Sequence, residues 1–170
     1  MPEPYVFYDR RNLNSTEVQF FTQSRAEATN KEVTTNMEKA YKFPKRFRVK
    51  KIVVQAPLKL VSSTTQKDTS LDDNLRILLE EAVLTFQVGD GPIRYFPVAL
   101  CLGGPEITGA LQYTQATAAD GSYGFLNANN GGLDVDIEIP PETDIKVYIK
   151  TATTPSINPV TVYLVGEYGE

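Results

Sequence analysis

Three carboxylates alternate with apolar residues near the end of the chain: Asp134, Asp136 and Glu138. Side chains of a strand alternate between its two faces, so this spacing predicts one acidic face with neighbours roughly 7 Å apart. Such a row could bind Ca²⁺ with the asparagine-rich loop 127–130, or form the carboxylate pair of an inverting glycosidase, about 6.5–9.5 Å apart. The plainer interpretation is the polar face of a half-exposed strand, register-matched to Lys146 and Lys150 on the following strand.

A second cluster is cationic. The stretch 39–51 contains seven basic residues and no acidic one, residues 1–66 carry a net charge of +6, and residues 67–170 carry −10. This asymmetry predicts contact with an anionic neighbour subunit or with lipid headgroups, although a solvated strand face gives the same pattern. Nucleic acid fits less well, because the pI is about 5.0 and no binding motif is present. The expected contact residues are Lys45, Arg46, Arg48, Lys50 and Lys51.

Missing residue types exclude much of enzyme chemistry. The chain has no histidine and one cysteine, so histidine triads, imidazole bases, histidine-ligated metals and cysteine zinc clusters are ruled out. Cys101 lies in the apolar stretch 95–102 and is predicted to be a buried small hydrophobe. A glycine-rich phosphate loop with its lysine is also absent from the sequence. We therefore expect no enzyme and no cofactor.

The hydrophobic patterning predicts an all-β chain. Alternation and turn signals indicate about eight strands in one sandwich or barrel, with one short helix over 71–81. Residues 1–31 are polar and are predicted to form an N-terminal arm, and residues 32–170 a single β-barrel domain. Neither a signal peptide nor a membrane span is predicted. The expected strands lie at 47–56, 83–88, 93–102, 107–114, 122–126, 133–139, 145–150 and 160–166.

Two segments carry a resemblance to a known protein family. They are the basic segment 43–54, FPKRFRVKKIVV, and the closing strand 160–166, VTVYLVG. Across residues 32–168 the chain resembles the small major capsid protein of tailless icosahedral viruses with an internal membrane, of the type that infects Thermus. The resemblance implies a single jelly roll without catalytic residues. It also implies a virion location after synthesis in the host cytoplasm, self-association as a homodimer, a second and larger capsid protein as partner, and an underlying anionic membrane.

Other functions fit the same composition. A jelly-roll carbohydrate-binding module would use calcium near Asp134 and Asp136, and a glycoside hydrolase would use the same carboxylates. An assembly subunit needs adhesive surface, for which loop tyrosines are candidates. Periodicity alone does not distinguish a jelly roll from another two-sheet sandwich. The tyrosines expected in loops are Tyr5, Tyr8, Tyr113 and Tyr123.

Overall fold

The computed structural model describes residues 1–56, 76–103, 110–113, 121–124 and 131–169. Within these ranges lie a 3₁₀ turn, a π-helical turn and a short helix α1: Lys31–Val33, Ile77–Glu81 and Val98–Cys101. The described strands are β1 (Glu3–Leu13), β2 (Glu17–Phe20), β3 (Phe47–Gln55), β4 (Val83–Val88), β5 (Arg94–Pro97), β6 (Ala110–Tyr113), β7 (Gly121–Gly124), β8 (Leu133–Ile139), β9 (Ile145–Lys150) and β10 (Ile157–Tyr168).

Eight of these strands form two antiparallel sheets. Sheet A has the order β1-β10-β3-β8 and sheet B the order β2-β9-β4-β5, while β6 and β7 form a separate pair. The hydrogen-bonded partners are nested along the chain, with β1 on β10, β2 on β9, β3 on β8 and β4 on β5. This folded-hairpin arrangement is the strand order of a jelly roll. The all-β prediction is therefore confirmed.

The space between the two sheets is filled by apolar side chains. Inward positions of β3, β4, β8, β9 and β10 supply branched aliphatic residues and phenylalanines, most of them completely buried. An aromatic cluster occupies one end, where Phe7 packs against Phe43, Phe47 and Tyr168 with ring centroids 4.5–5.0 Å apart. Burial of these faces is the main stabilising contribution, because each large apolar side chain gives roughly 1.5–3 kcal/mol.

The predicted N-terminal arm is wrong. Residues 3–13 form the edge strand of sheet A and residues 17–20 the edge strand of sheet B, so the boundary at residue 32 does not separate an arm from a barrel. Phe7, Leu13 and Phe20 are buried in the core. Asn36 blocks the outer edge of β1, since its side chain accepts from Tyr8 N–H at 2.9 Å and donates to the Val6 carbonyl at 2.8 Å. Blocking an edge strand prevents further pairing there.

Two local predictions also need correction. The expected strand 93–102 ends at Pro97 and continues as α1, because proline has no N–H to donate to a ladder. The predicted helix 71–81 is described only at its end, where Ile77–Glu81 form the π-helical turn, and residues 71–75 lie outside the described residues. Among the described residues, no helix is both long and apolar enough to cross a membrane.

Asp9 is a fully buried acidic residue in β1. Its Oδ2 accepts the Phe21 N–H at 2.7 Å, and this bond holds Phe21 in a left-handed conformation with φ of 61°. Its Oδ1 has no hydrogen-bond partner among the described residues. Burial raises the pKa of Asp9 to about 6, although the Phe21 N–H and the charge of Arg11 oppose that shift. The folded protein therefore disfavours the ionised carboxylate.

We predict that Asp9→Asn stabilises the protein at neutral pH. The folded-state pKa lies above the unfolded one, so ionisation penalises the fold above about pH 6, and the penalty disappears as the pH falls below about 4. A shift from 3.8 to about 6 corresponds to about 3 kcal/mol at pH 7. Asparagine keeps an acceptor for Phe21 N–H without the charge. Thermal unfolding should show a Tm higher by about 6–12 °C at pH 7.5 and nearly unchanged at pH 4.

Asp90→Asn, an exposed position in the turn after β4, is the matched control and should leave Tm unchanged at both pH values. Destabilisation by Asp9→Asn at pH 7.5 would contradict the prediction, because it would mean that the ionised carboxylate is required by the fold.

Candidate functional site

The predicted basic stretch and the predicted acidic row lie on neighbouring strands of sheet A. β3 pairs antiparallel with β8 in a register that sets Phe47 opposite Ile139 and Val49 opposite Ile137. These four side chains point into the core, so the residues between them point outward. Arg48 therefore lies on the outer face opposite Glu138. The two charged clusters found in the sequence meet each other in the folded protein.

Arg46 and Arg48 each make a bidentate contact with a carboxylate of β8. Arg48 donates from Nε to Asp136 Oδ1 and from Nη2 to Asp136 Oδ2, both at 2.8 Å. Arg46 contacts Glu138 in the same manner, through its Nε and through Nη2 at 3.0 Å from Oε2. Such bidentate geometry matches the planar guanidinium to the carboxylate and makes these the strongest ion pairs of the face.

A β-bulge adds two lysines to the same face. β10 pairs Val165 with Lys51 and Gly166 with Val49, so Lys50 is the extra residue and both lysines point outward. Lys51 Nζ lies 3.5 Å from Asp134 Oδ1 and Lys50 Nζ lies 3.8 Å from Asp136 Oδ1. We call this set of pairs the ion-pair ladder. It comprises Arg46, Arg48, Lys50 and Lys51 of the basic stretch with Asp134, Asp136 and Glu138 of β8.

The bulge requires a glycine on β10. A Cβ atom at Gly166 would lie 2.0 Å from the Arg48 carbonyl oxygen, which is closer than any carbon can approach it. Only glycine therefore lets β10 follow the bulged part of β3. The position of the ladder cations thus depends on a residue without a side chain on the neighbouring strand.

The electrostatics of the ladder follow from these contacts. Hydrogen bonding to Arg48 lowers the pKa of Asp136 to about 2, and hydrogen bonding to Arg46 lowers the pKa of Glu138. The same bonds raise the pKa values of both guanidinium groups. The two arginine–carboxylate pairs are therefore charged at neutral pH. Because its side chains are 34–88 % exposed, each pair contributes little to stability.

In the part of the chain that the structure describes, the acidic row does not form a metal site. Within the described ranges, no group of three acidic or cysteine side chains could hold a metal ion, and the asparagine-rich loop 127–130 lies outside those ranges. The expected match of the acidic row with Lys146 and Lys150 is also wrong. β9 belongs to sheet B, and β8 pairs with β3 instead. The predicted contact residues of the basic stretch are Lys45, Arg46, Arg48, Lys50 and Lys51. Of these, only Lys45 is exposed and forms no ion pair with the described part of the chain.

Other residues predicted from the sequence have different positions. Tyr5 and Tyr8 lie in β1, Tyr113 lies in β6 and Tyr123 in β7, so none of the four is in a loop. Cys101 is completely buried at the end of α1, which confirms the prediction of a small core residue. Burial raises the pKa of its thiol to about 12, so the reactive thiolate is scarce at neutral pH.

The sequence interpretation missed a row of side chains on the outer face of sheet B. The register aligns Gln19 with Tyr148, Tyr148 with Thr85, and Thr85 with Tyr95. We call these four residues the tyrosine row. The sequence signal for this row is the alternation of apolar and polar residues in 145–150. It places Lys146, Tyr148 and Lys150 on the polar face of β9. The sequence interpretation uses that face only as the partner of the acidic row.

Comparisons of the chain with protein-family models, with curated proteins and with solved structures found no match. The fold and its two outer faces are therefore the observations from which a function can be inferred. One face carries the ion-pair ladder and the other carries the tyrosine row.

We predict that exchanging the charges of the central pair preserves the ladder. Arg48→Asp alone and Asp136→Arg alone should each lower Tm by no more than about 3 °C, since exposed pairs contribute little. The double exchange should recover most of that loss, and 1 M NaCl should reduce all of these differences. The pKa of Asp136 is lowered by folding, so the stabilisation is present above about pH 4 and lost as the pH falls toward 2.

Lys146→Asp is the control for the single cation change, because Lys146 is an exposed strand lysine without an ion pair to the described chain. Additive losses in the double exchange, measured by thermal unfolding, would show that the ladder residues do not interact.

We also predict that Cys101 resists alkylation in the native protein. Its side chain is buried and its pKa is raised to about 12, so iodoacetamide at pH 8 should react only after denaturation. Mass spectrometry of the intact chain would measure the labelled fraction. Rapid labelling without denaturant would contradict the buried position of the thiol.

Proposed function

We propose that the chain is a structural subunit of a viral protein shell, a capsid protein that acts by self-association. The observation that carries this proposal is a jelly-roll strand order combined with a filled interior. Jelly rolls occur in viral capsid proteins, in lectins and in cupins. A cupin-type function needs a site inside the barrel, whereas the inner faces of the described strands are apolar and closely packed. The outer surfaces are then the parts that act.

The finer parts of the proposal follow the family resemblance. They are a homodimer, a second and larger capsid protein, an underlying anionic membrane and a place in the virion shell. The ladder affects how the basic stretch would contribute. Its cations are 34–42 % exposed but already paired, so an anionic neighbour or headgroup would compete with the carboxylates of β8. Lys45 lies just before β3 and is exposed without such competition.

We predict that the chain self-associates beyond a monomer in a concentration-dependent way. Sedimentation velocity at low and high salt, with and without vesicles containing anionic lipid, would measure this. Lys45→Glu should weaken association or vesicle binding at low salt, because it reverses an exposed charge while leaving the ladder intact. High salt should reduce the difference between this variant and the unmodified protein.

Lys31→Glu is the matched control, because Lys31 is an exposed lysine outside the basic stretch and its reversal should have no effect. A monomer at every concentration, salt and lipid condition would contradict the proposed shell function. Association that Lys45→Glu leaves unchanged would contradict the contact through the basic stretch, while the proposed self-association would stand.

A carbohydrate-binding module is the second candidate function. The observation in its favour is the tyrosine row on sheet B, where Tyr95 is 66 % exposed. It is separate from the carboxylates of β8, so this candidate no longer needs the calcium site expected at Asp134 and Asp136. Binding of glycans through sheet B is compatible with the shell function and has its own test.

A further inference from the structure

The outer face of sheet B combines aromatic, amide and hydroxyl groups in one row. In the tyrosine row, Tyr148 and Tyr95 are separated by the single strand that carries Thr85. Two strand spacings set the tyrosine Cα atoms about 10 Å apart, which is close to the length of a disaccharide. Gln19 extends the row onto β2, beside Tyr148. Each residue belongs to a paired strand, so the row is held by the sheet backbone.

Two lysines flank the row along β9. Lys146 and Lys150 are both exposed, and neither forms an ion pair with the described part of the chain. Glu17 lies opposite Lys150 in the register, and Lys150 Nζ lies 5.4 Å from the centroid of the Tyr148 ring, a cation–π distance. The cations of β3 are neutralised by β8, whereas these cations of β9 remain available to an anionic ligand.

We propose that this face binds an acidic polysaccharide, with a sugar ring stacked on the exposed Tyr95 and sugar carboxylates contacting Lys146 and Lys150 beside Tyr148. The aromatic faces suit the apolar C–H side of a pyranose ring. The amide of Gln19 beside Tyr148 suits sugar hydroxyls, whereas the Thr85 hydroxyl between the two tyrosines is buried. The two unpaired lysines supply the charge complementarity that selects an anionic polymer in a chain of net charge −4. The inference goes beyond the shell function and does not depend on it.

Other anionic polymers fit this face less well. A single-stranded nucleic acid stacks successive bases on closely spaced aromatics within a strongly basic groove, whereas the two tyrosines here are two strands apart and flanked by only two lysines. A membrane surface favours a broad apolar patch with many cations. On this face, the polar residues Gln19 and Thr85 neighbour Tyr148 in the strand register instead.

Affinity electrophoresis in gels containing polygalacturonate, alginate or heparin would test the proposal. The matched neutral polymer is fully methyl-esterified polygalacturonate, which keeps the sugar backbone and removes the charge. We expect retardation by at least one acidic polymer and none by the methyl ester. Tyr95→Ala and the double variant Lys146→Gln/Lys150→Gln should each weaken retardation roughly tenfold or more. Tyr95→Phe should retain binding, because the ring is kept.

Lys31→Gln is the matched control, since it removes an exposed lysine that lies in the 3₁₀ turn, outside both the basic stretch and sheet B. Circular dichroism and Tm would establish that each variant is folded, and Tyr95 is exposed enough for its truncation to be tolerated. Retardation by none of the three acidic polymers would overturn the proposal. Equal loss on Lys31→Gln would also overturn it. So would sheet B variants that alter binding to anionic vesicles or poly(U) but to no polysaccharide.

Discussion

The cations of β3 and the carboxylates of β8 lie on adjacent strands. Each set therefore neutralises the charge of the other within the protein, without a binding partner. This pairing determines what the most highly charged part of the chain can do. It turns two separate clusters, each suggestive of a binding site, into one internal network across sheet A. Gly166 on β10 lies beside the β3 bulge at Lys50, and this bulge places Lys50 and Lys51 on the charged face. The backbone geometry therefore supports the charge pairing. Lys146 and Lys150 of sheet B, by contrast, are exposed and form no ion pair within the described part of the chain.

Local periodicity predicted the strands that have one apolar and one polar face. β8 and β9 alternate regularly, and Pro44 and Pro57 bound the region of β3, so these elements could be found in the sequence. Strand partners could not, because the residues paired across β3 and β8 are far apart along the chain. The nearest oppositely charged strand in the sequence is β9, but the nested order of the jelly roll assigns β9 to the other sheet. The acidic row and its partners were therefore both identified, but they were matched wrongly.

The N-terminal segment shows why polar composition is a poor guide to an edge strand. β1 carries Asp9 at an inward position between Phe7 and Leu13, so the alternation of apolar residues is interrupted where the strand is most buried. β2 has only four residues, of which Phe20 alone is fully buried. The segment that follows β2 covers the free edge of β1. It does so through the Asn36 side chain and through the Thr34 carbonyl, which accepts the Arg10 N–H at 2.9 Å. None of these contacts leaves a periodic trace in the sequence.

The nested pairing of strands also sets the order in which the fold can be completed. β10 lies between β1 and β3 in sheet A, so β1 has no neighbour in that sheet, and β3 has only β8, until residues 157–168 have left the ribosome. Until then Phe7 and Phe47 have only part of their aromatic cluster, because Tyr168 is still missing. Such distant pairings make folding slow and expose apolar surface to chaperones meanwhile. A chain interrupted before β10 would lack a finished outer face on sheet A, so truncated products would be excluded from any assembly that uses that face.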